Sequence, residues 1–176
     1  MLRYTSGMNR DFGLLLARGA IGLSFAAHGT QKAFGWFEGP GPVAAAGFLE
    51  NLGFKPGARY AALTAYSEIV SGLLITLGLG APAGPAAMIG VMLVAAQTAH
   101  VKNGFFAQKG GVEINVLYSG AALAFAMGGY GRYSLDAVFG VDEALANERF
   151  VWAAVAGGVL GGVLALSRRA KPLAPE

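Results

Sequence analysis

The stretch that decides the fold is AALTAYSEIVSGLLITLGL, residues 61–79, in which Glu68 is the one charged side chain. About 20 apolar residues in a helix cross the hydrocarbon core of a bilayer, so this run is a crossing. A carboxylate inside it is costly and marks a functional position by default. Glu68 is about eight residues into its helix, on the order of 12 Å below the face where that helix begins.

The rest of the chain has the composition such a crossing requires. Of its 176 residues, 55% are hydrophobic and 13% charged, with a mean hydropathy of +0.51; soluble domains carry roughly 25% charge. The 28 glycines fall within apolar segments, where small residues let helices pack closely in lipid. No cysteine is present, so the chain forms no disulfide, offers no thiolate ligand and has no redox thiol of its own.

Working outward, the apolar runs are Phe12 to Phe34, Tyr60 to Leu79, Ala83 to Ala99, Ile114 to Met127 and Phe150 to Ser167. They are separated by Gly80-Ala81-Pro82, the polar Lys102 to Glu113 loop and the charged Asp136 to Arg149 stretch. The third and fourth are short for a crossing. Arg18 interrupts the first run, which is read as a retained helix rather than a signal peptide. In the fifth, Gly157, Gly158, Gly161 and Gly162 form overlapping small-xxx-small pairs for close helix approach. Between the first and second runs, Phe48, Leu49 and Leu52 recur at helical spacing opposite Glu50 and Asn51. This predicts a short amphipathic helix in the interface, entered through Gly39-Pro40-Gly41-Pro42 and placed to cap the bundle as a lid. The fold class expected is an all-α, integral-membrane four-helix bundle with a fifth transmembrane helix at 150–167 and this interfacial segment, in one domain spanning 1–176.

If each run crosses once, eight basic residues share one face: Lys32, Lys55, Arg59, Lys102, Lys109, Arg168, Arg169 and Lys171. Four lie on the other: Arg3, Arg10, Arg132 and Arg149. The excess puts the first face and the C-terminus in the cytoplasm, a signal weakened if Lys32 and Lys102 serve a site.

The polar residues inside or beside the runs converge on that face. His28 and Lys32 are four apart and share a helix face, with Thr30 and Gln31 beside them. Gln97 shares a face with His100, and Asn103, Glu113 and Asn115 follow at similar depth. The expected site has Glu68, His28 and His100 as its proton-handling groups above a floor formed by Glu68. Gln31, Lys32, Trp36, Asn103, Phe105, Glu113 and Asn115 contact the ligand, within walls of Phe34, Trp36, Phe37, Phe105 and Phe106. Apolar walls with a few convergent polar groups suit a flat amphipathic molecule such as a quinone. The plainer alternatives are that Glu68 pairs with Arg18 as a structural ion pair and that Lys32 snorkels to the headgroups. Two histidines also raise haem, or a metal held by His28, His100 and either Glu68 or Glu113. The interfacial position of both histidines argues against haem, and no local metal or haem-attachment motif occurs, so no metal site is assigned. Nothing here supports nucleotide or nucleic-acid binding.

Two elements at these positions, HGTQKAFGWF at 28–37 and HVKNGFF at 100–106, together with AYSEIVSGLLITLGL at 65–79, GGVEINVLY at 110–118 and GRYSLDAVFG at 131–140, give the chain its resemblance to a family. Over about residues 12–140 it resembles the DoxX family of small membrane proteins, which includes the DoxD-type subunit of thiosulfate:quinone oxidoreductase. The resemblance implies a four-helix membrane bundle with Arg18, His28, Gln31, Lys32, Glu68, His100, Asn103 and Glu113 at matching positions. It also implies links to quinone-coupled sulfur oxidation and to complexes that handle oxidative or thiol stress. The fifth run departs from the short form of the family.

The function expected is a membrane subunit of a redox system that binds a quinone or similar lipophilic ligand, in a bacterial inner membrane. Electrons would come from an oxidoreductase partner, soluble or membrane-bound, or from a bound substrate, and a homo-oligomer is open. The competing readings are a scaffold or assembly factor that recruits a soluble oxidoreductase, and a small proton-coupled transporter, which the lack of an inverted repeat disfavours.

Overall fold

In the computed structural model, which describes residues 7–170, every regular element is helical. The helices are α1 (Gly7–Phe34), α2 (Gly41–Asn51), α3 (Gly57–Leu77), α4 (Ala83–Ala95), α5 (Glu113–Gly128), α6 (Leu135–Val138), α7 (Asp142–Leu145) and α8 (Glu148–Ser167). Four segments are long and apolar enough to cross a membrane: Asn9–Phe34, Gly57–Leu77, Ala83–Asn103 and Glu148–Ser167. The third is not short, as the apolar run alone suggests. Beyond Ala95 the helix continues through a π turn, Ala96–His100, and a 3-10 turn, Val101–Asn103. With 16 residues, α5 is about 24 Å long, less than the hydrocarbon thickness.

The outward faces are apolar: Leu16, Leu23, Val70, Leu117, Leu160 and Leu164 are exposed, as in helices solvated by lipid. Inside, Phe25, Ile75, Met88, Ala122 and Phe125 form the core between α1, α3, α4 and α5. Because lipid is as apolar as a leucine, close backbone approach rather than hydrophobic burial brings such helices together. The antiparallel α1–α3 pair is the most intimate. A Cβ on Gly22 would meet the Gly72 carbonyl at 2.5 Å, and one on Gly72 would meet the Gly22 carbonyl at 2.5 Å. Seven residues on, Gly29 lies against Ala65. On the other side α8 packs on α4, where a Cβ on Gly158 would overlap the Ala86 carbonyl and one on Gly90 would meet the Gly158 carbonyl at 2.6 Å. Of the four glycines in the fifth run, Gly158 and Gly162 therefore face α4, while Gly157 and Gly161 meet nothing within 4 Å.

α2 packs on α3 and starts at Gly41, whose φ of +69° lies in the left-handed region that the Gly-Pro cluster allows. The Glu50 carboxylate of α2 accepts from the Gly57 amide at 2.9 Å, which satisfies one open donor at the start of α3. The end of α8 comes back to the same place. The Ala170 amide donates to the Gly53 carbonyl at 2.9 Å, and Arg169 Nε donates to the Leu52 carbonyl. Residues 168–170 thus lie beside the connection between α1 and α3. Arg3 and Lys171 lie outside the described residues.

Arg18 seals the opposite end. It is fully buried, donating from Nη2 to the Tyr133 carbonyl at 2.7 Å and from Nη1 to the Thr76 carbonyl at 3.5 Å, near the C-terminus of α3 where a cation is favoured. Its guanidinium also lies over the Tyr130 ring at 5.6 Å. Asp136, equally buried, accepts from the Gly80 and Ala81 amides at 2.7 and 2.9 Å, so the segment around α6 is fastened to the α3–α4 turn. Burial, reinforced by Asp136, pushes the Tyr130 hydroxyl well above the ordinary tyrosine range.

Candidate functional site

The site begins with the directions in which α1 and α3 run. Gly22 faces Gly72 and Gly29 faces Ala65, so Glu68 is level with Ala26, and Arg18 with Thr76. Helical side chains tilt towards their own N-terminus. In this antiparallel pair Lys32 therefore leans down into the bundle, Glu68 leans up towards it, and Arg18 leans away from both. The result is an ion pair with Lys32 Nζ donating to Glu68 Oε2 at 2.5 Å. This corrects the expectation that Arg18 is the partner of Glu68: Arg18 lies about two helical turns further along α3 and is held by backbone carbonyls. The Glu68 side chain is 5% exposed and that of Lys32 31%, so the pair runs from the interior to the rim.

The pair lines a cavity of about 850 Å³ bounded by α1, α2, α3, α4, α5 and α8. Of the residues expected to form a site, His28, Lys32, Glu68, His100 and Asn115 line it. His28 sits edge-on to Tyr118, with ring centroids 6.2 Å apart. His100 ends the π turn, and its Nδ1 lies 2.8 Å from the Gly110 carbonyl, which also accepts from Asn103 Nδ2 at 3.1 Å. The shared histidine–asparagine–glycine contact explains the HVKNGFF spacing: Asn103 braces the loop that orients His100.

Asn103 itself does not line the cavity, nor do Gln31, Trp36, Phe105, Glu113 or Arg18. Gln31 Nε2 donates to the Phe37 carbonyl at 3.4 Å, and Glu113 accepts from the Ala107 amide at 2.8 Å, each bracing a loop. The aromatic walls expected from Phe34, Trp36, Phe37, Phe105 and Phe106 also need correction. These rings are exposed; Phe34 lies tilted against Trp36, and Phe105 meets Phe106 edge-on. The apolar walls come instead from Phe25 and Tyr118 inside the bundle and from Phe48, Leu49, Leu52 and Phe54 at and after α2. Gly157, Gly158, Gly161 and Gly162 of α8 form the wall beside α4.

Thr64, Ser67, Thr98 and Tyr118 also line the cavity. Helical spacing points to two of them, since Thr64 is one turn before Glu68 and Tyr118 is three residues after Asn115. Among the described residues, no group of three His, Asp or Glu side chains stands close enough to hold a metal ion, so His28, His100 and a carboxylate do not gather into such a site.

Fold and cavity together define a helical membrane protein with a buried ion pair beside an apolar chamber. The DoxX family model matches residues 13–101, about half of the sequence, and the chain belongs to the DoxX family. The match takes in Arg18, His28, Gln31, Lys32, Glu68 and His100 and ends before α5, α6, α7 and α8. No curated protein and no solved structure matches the chain.

Proposed function

We propose that the protein is a membrane subunit of a redox system that holds a quinone, or a similar flat lipophilic molecule, in the cavity bounded by α1, α2, α3, α4, α5 and α8. The observation that carries this reading is the Lys32–Glu68 pair on the wall of an otherwise largely apolar cavity. A volume of about 850 Å³ lies within the range of small-molecule sites. The nearby histidines and carboxylate are the groups that proton-coupled chemistry at a ring oxygen uses. Membership of the DoxX family supports the membrane setting and a link to redox or stress physiology.

In this reading α5 completes a set of five crossings, α2 lies in the interface as a lid, and the lid face is cytoplasmic in a bacterial inner membrane. Electrons come from an oxidoreductase partner or directly from a bound substrate, since the sequence carries neither a cysteine nor a redox-cofactor motif. The test is binding of a short-chain ubiquinone or menaquinone analogue to the purified protein and to Glu68→Gln and His100→Ala. Weaker binding in both variants supports the site; unchanged binding in both removes it.

A further inference from the structure

Three hydroxyls of α3 line the cavity in one row. Tyr60, Thr64 and Ser67 stand at positions i, i+4 and i+7 of the helix, and Glu68 ends the row. The packing at the other end of α3 fixes where this face points. A Cβ on Gly84 of α4 would meet Leu74 at 3.0 Å, the Ser71 carbonyl at 3.2 Å and Ile75 at 3.3 Å, so Ser71 and Ile75 face α4. Thr64 lies on the same stripe, two turns before Ser71 and three before Ile75. At the level of Thr64 the cavity takes the place of that contact, with Thr64 between Ala61 and Glu68 on its wall.

Other hydroxyls nearby have partners within the protein. A serine or threonine inside a helix can return its hydrogen to the carbonyl three or four residues back. Further along α3, Ser71 Oγ donates to the Ser67 carbonyl at 2.6 Å and Thr76 Oγ1 to the Gly72 carbonyl at 2.9 Å. On the cavity wall beyond α4, Thr98 Oγ1 donates to the Val94 carbonyl at 2.8 Å, and Tyr118 Oη donates to Ser24 Oγ at 2.9 Å. Tyr60 Oη, Thr64 Oγ1 and Ser67 Oγ have no hydrogen-bond partner among the described residues. Hydroxyls left unpaired beside apolar walls cost free energy, which a bound oxygen acceptor offsets.

We infer that Thr64, at the centre of this row, is a ligand-binding residue that donates its hydroxyl to a ring oxygen of the molecule in the cavity. Tyr60 and Ser67, one turn to either side, supply donors for further oxygens along the same edge. This rests on the proposal that the cavity takes a quinone-like molecule, and it deepens that reading by naming the edge of the site that holds the ligand's oxygens: the face of α3 leading to Glu68.

The test is binding of a short-chain ubiquinone to the full-length protein in nanodiscs, together with infrared difference spectra of the bound quinone isotope-labelled at its carbonyl carbons. Thr64→Val keeps the branched shape and removes the hydroxyl. It is expected to weaken binding about fivefold, the value of one hydrogen bond, and to return a bound carbonyl band to higher frequency. Thr64→Ser restores the donor and is expected to recover both the affinity and the band position. Thr98→Val is the control, because that hydroxyl lines the same cavity and is already held by Val94; its affinity and bands are expected to match the wild type. Should the valine variant fail to fold, Thr64→Ala, compared with Thr64→Ser, reads the same contact. Wild-type affinity and bands without the Thr64 hydroxyl, no recovery in Thr64→Ser, or an equal loss in Thr98→Val would overturn the inference while leaving the cavity as a quinone site. Absence of quinone binding to the wild type would overturn the proposed function, and the inference with it.

Discussion

Lys32 and Glu68 meet at 2.5 Å between the last turn of α1 and the middle of α3, because antiparallel helices tilt these two side chains towards each other. The pair places opposite charges in the middle of a bundle packed largely through glycine and apolar contacts. Removing either partner leaves the other without compensation. Glu68→Gln alone and Lys32→Met alone are each expected to cost about 1–3 kcal/mol. The double variant should cost less than the sum. Denaturant unfolding in micelles provides the four stabilities; strict additivity would mean that the contact carries no coupling.

The two ends of the bundle should separate in their phenotypes. Gly78, at a φ of +66°, leaves the space that Arg18 Nη1 occupies, so Gly78→Ala both strains the backbone and displaces the guanidinium. A loss of about 1 kcal/mol or more is expected. Ligand affinity should stay unchanged, because neither residue lines the cavity. A Gly78→Ala protein that is equally stable but binds more weakly would show that the sealed end communicates with the site.

Gly157 and Gly158 are adjacent on α8 and should respond differently. Leucine at 158 meets the Ala86 backbone of α4 and is expected to cost about 1–3 kcal/mol by overpacking. At 157 a Cβ meets nothing within 4 Å, so Gly157→Leu should change stability by less than about 0.5 kcal/mol. Because Gly157 lines the cavity, that variant should instead reduce the space for a ligand. Thermal unfolding and ligand titration of both variants check the contrast.

Arg169 donates to the Leu52 carbonyl just beyond α2, and Ala170 donates to Gly53. If α2 is the lid, Arg169→Ala should loosen it. Hydrogen exchange across residues 49–54 should rise about tenfold, corresponding to the loss of a hydrogen bond to a charged donor. Exchange in α3 should stay as in the wild type.

The crossings are readable in the sequence because Gly80-Ala81-Pro82 and two polar stretches punctuate the apolar runs, and alternating direction then brings His28, Glu68 and His100 to one face. Periodicity does not reveal which charges pair across helices. That depends on the Gly22–Gly72 register and on side-chain tilt, which give Glu68 to Lys32 and leave Arg18 two turns away. Nor does the order of residues show which aromatics turn inward. Trp36 and Phe105 are set by loops, Phe37 adopts a φ of +52°, and all three rings end outside the cavity that Phe48 and Phe54 line. The wall supplied by α8 lies beyond the family match, and the packing of Gly158 and Gly162 against Ala86 and Gly90 of α4 brings it to the site.

The most direct test of the central claim is photolabelling in nanodiscs with an azido-quinone analogue, followed by peptide mapping. If the cavity is the ligand site, label is expected on the segments bearing Phe48, Leu49, Thr98 and His100, removed by excess unlabelled quinone and reduced in Glu68→Gln. Label confined to the outward-facing Leu117, Leu160 and Leu164, and unaffected by competitor, would contradict it.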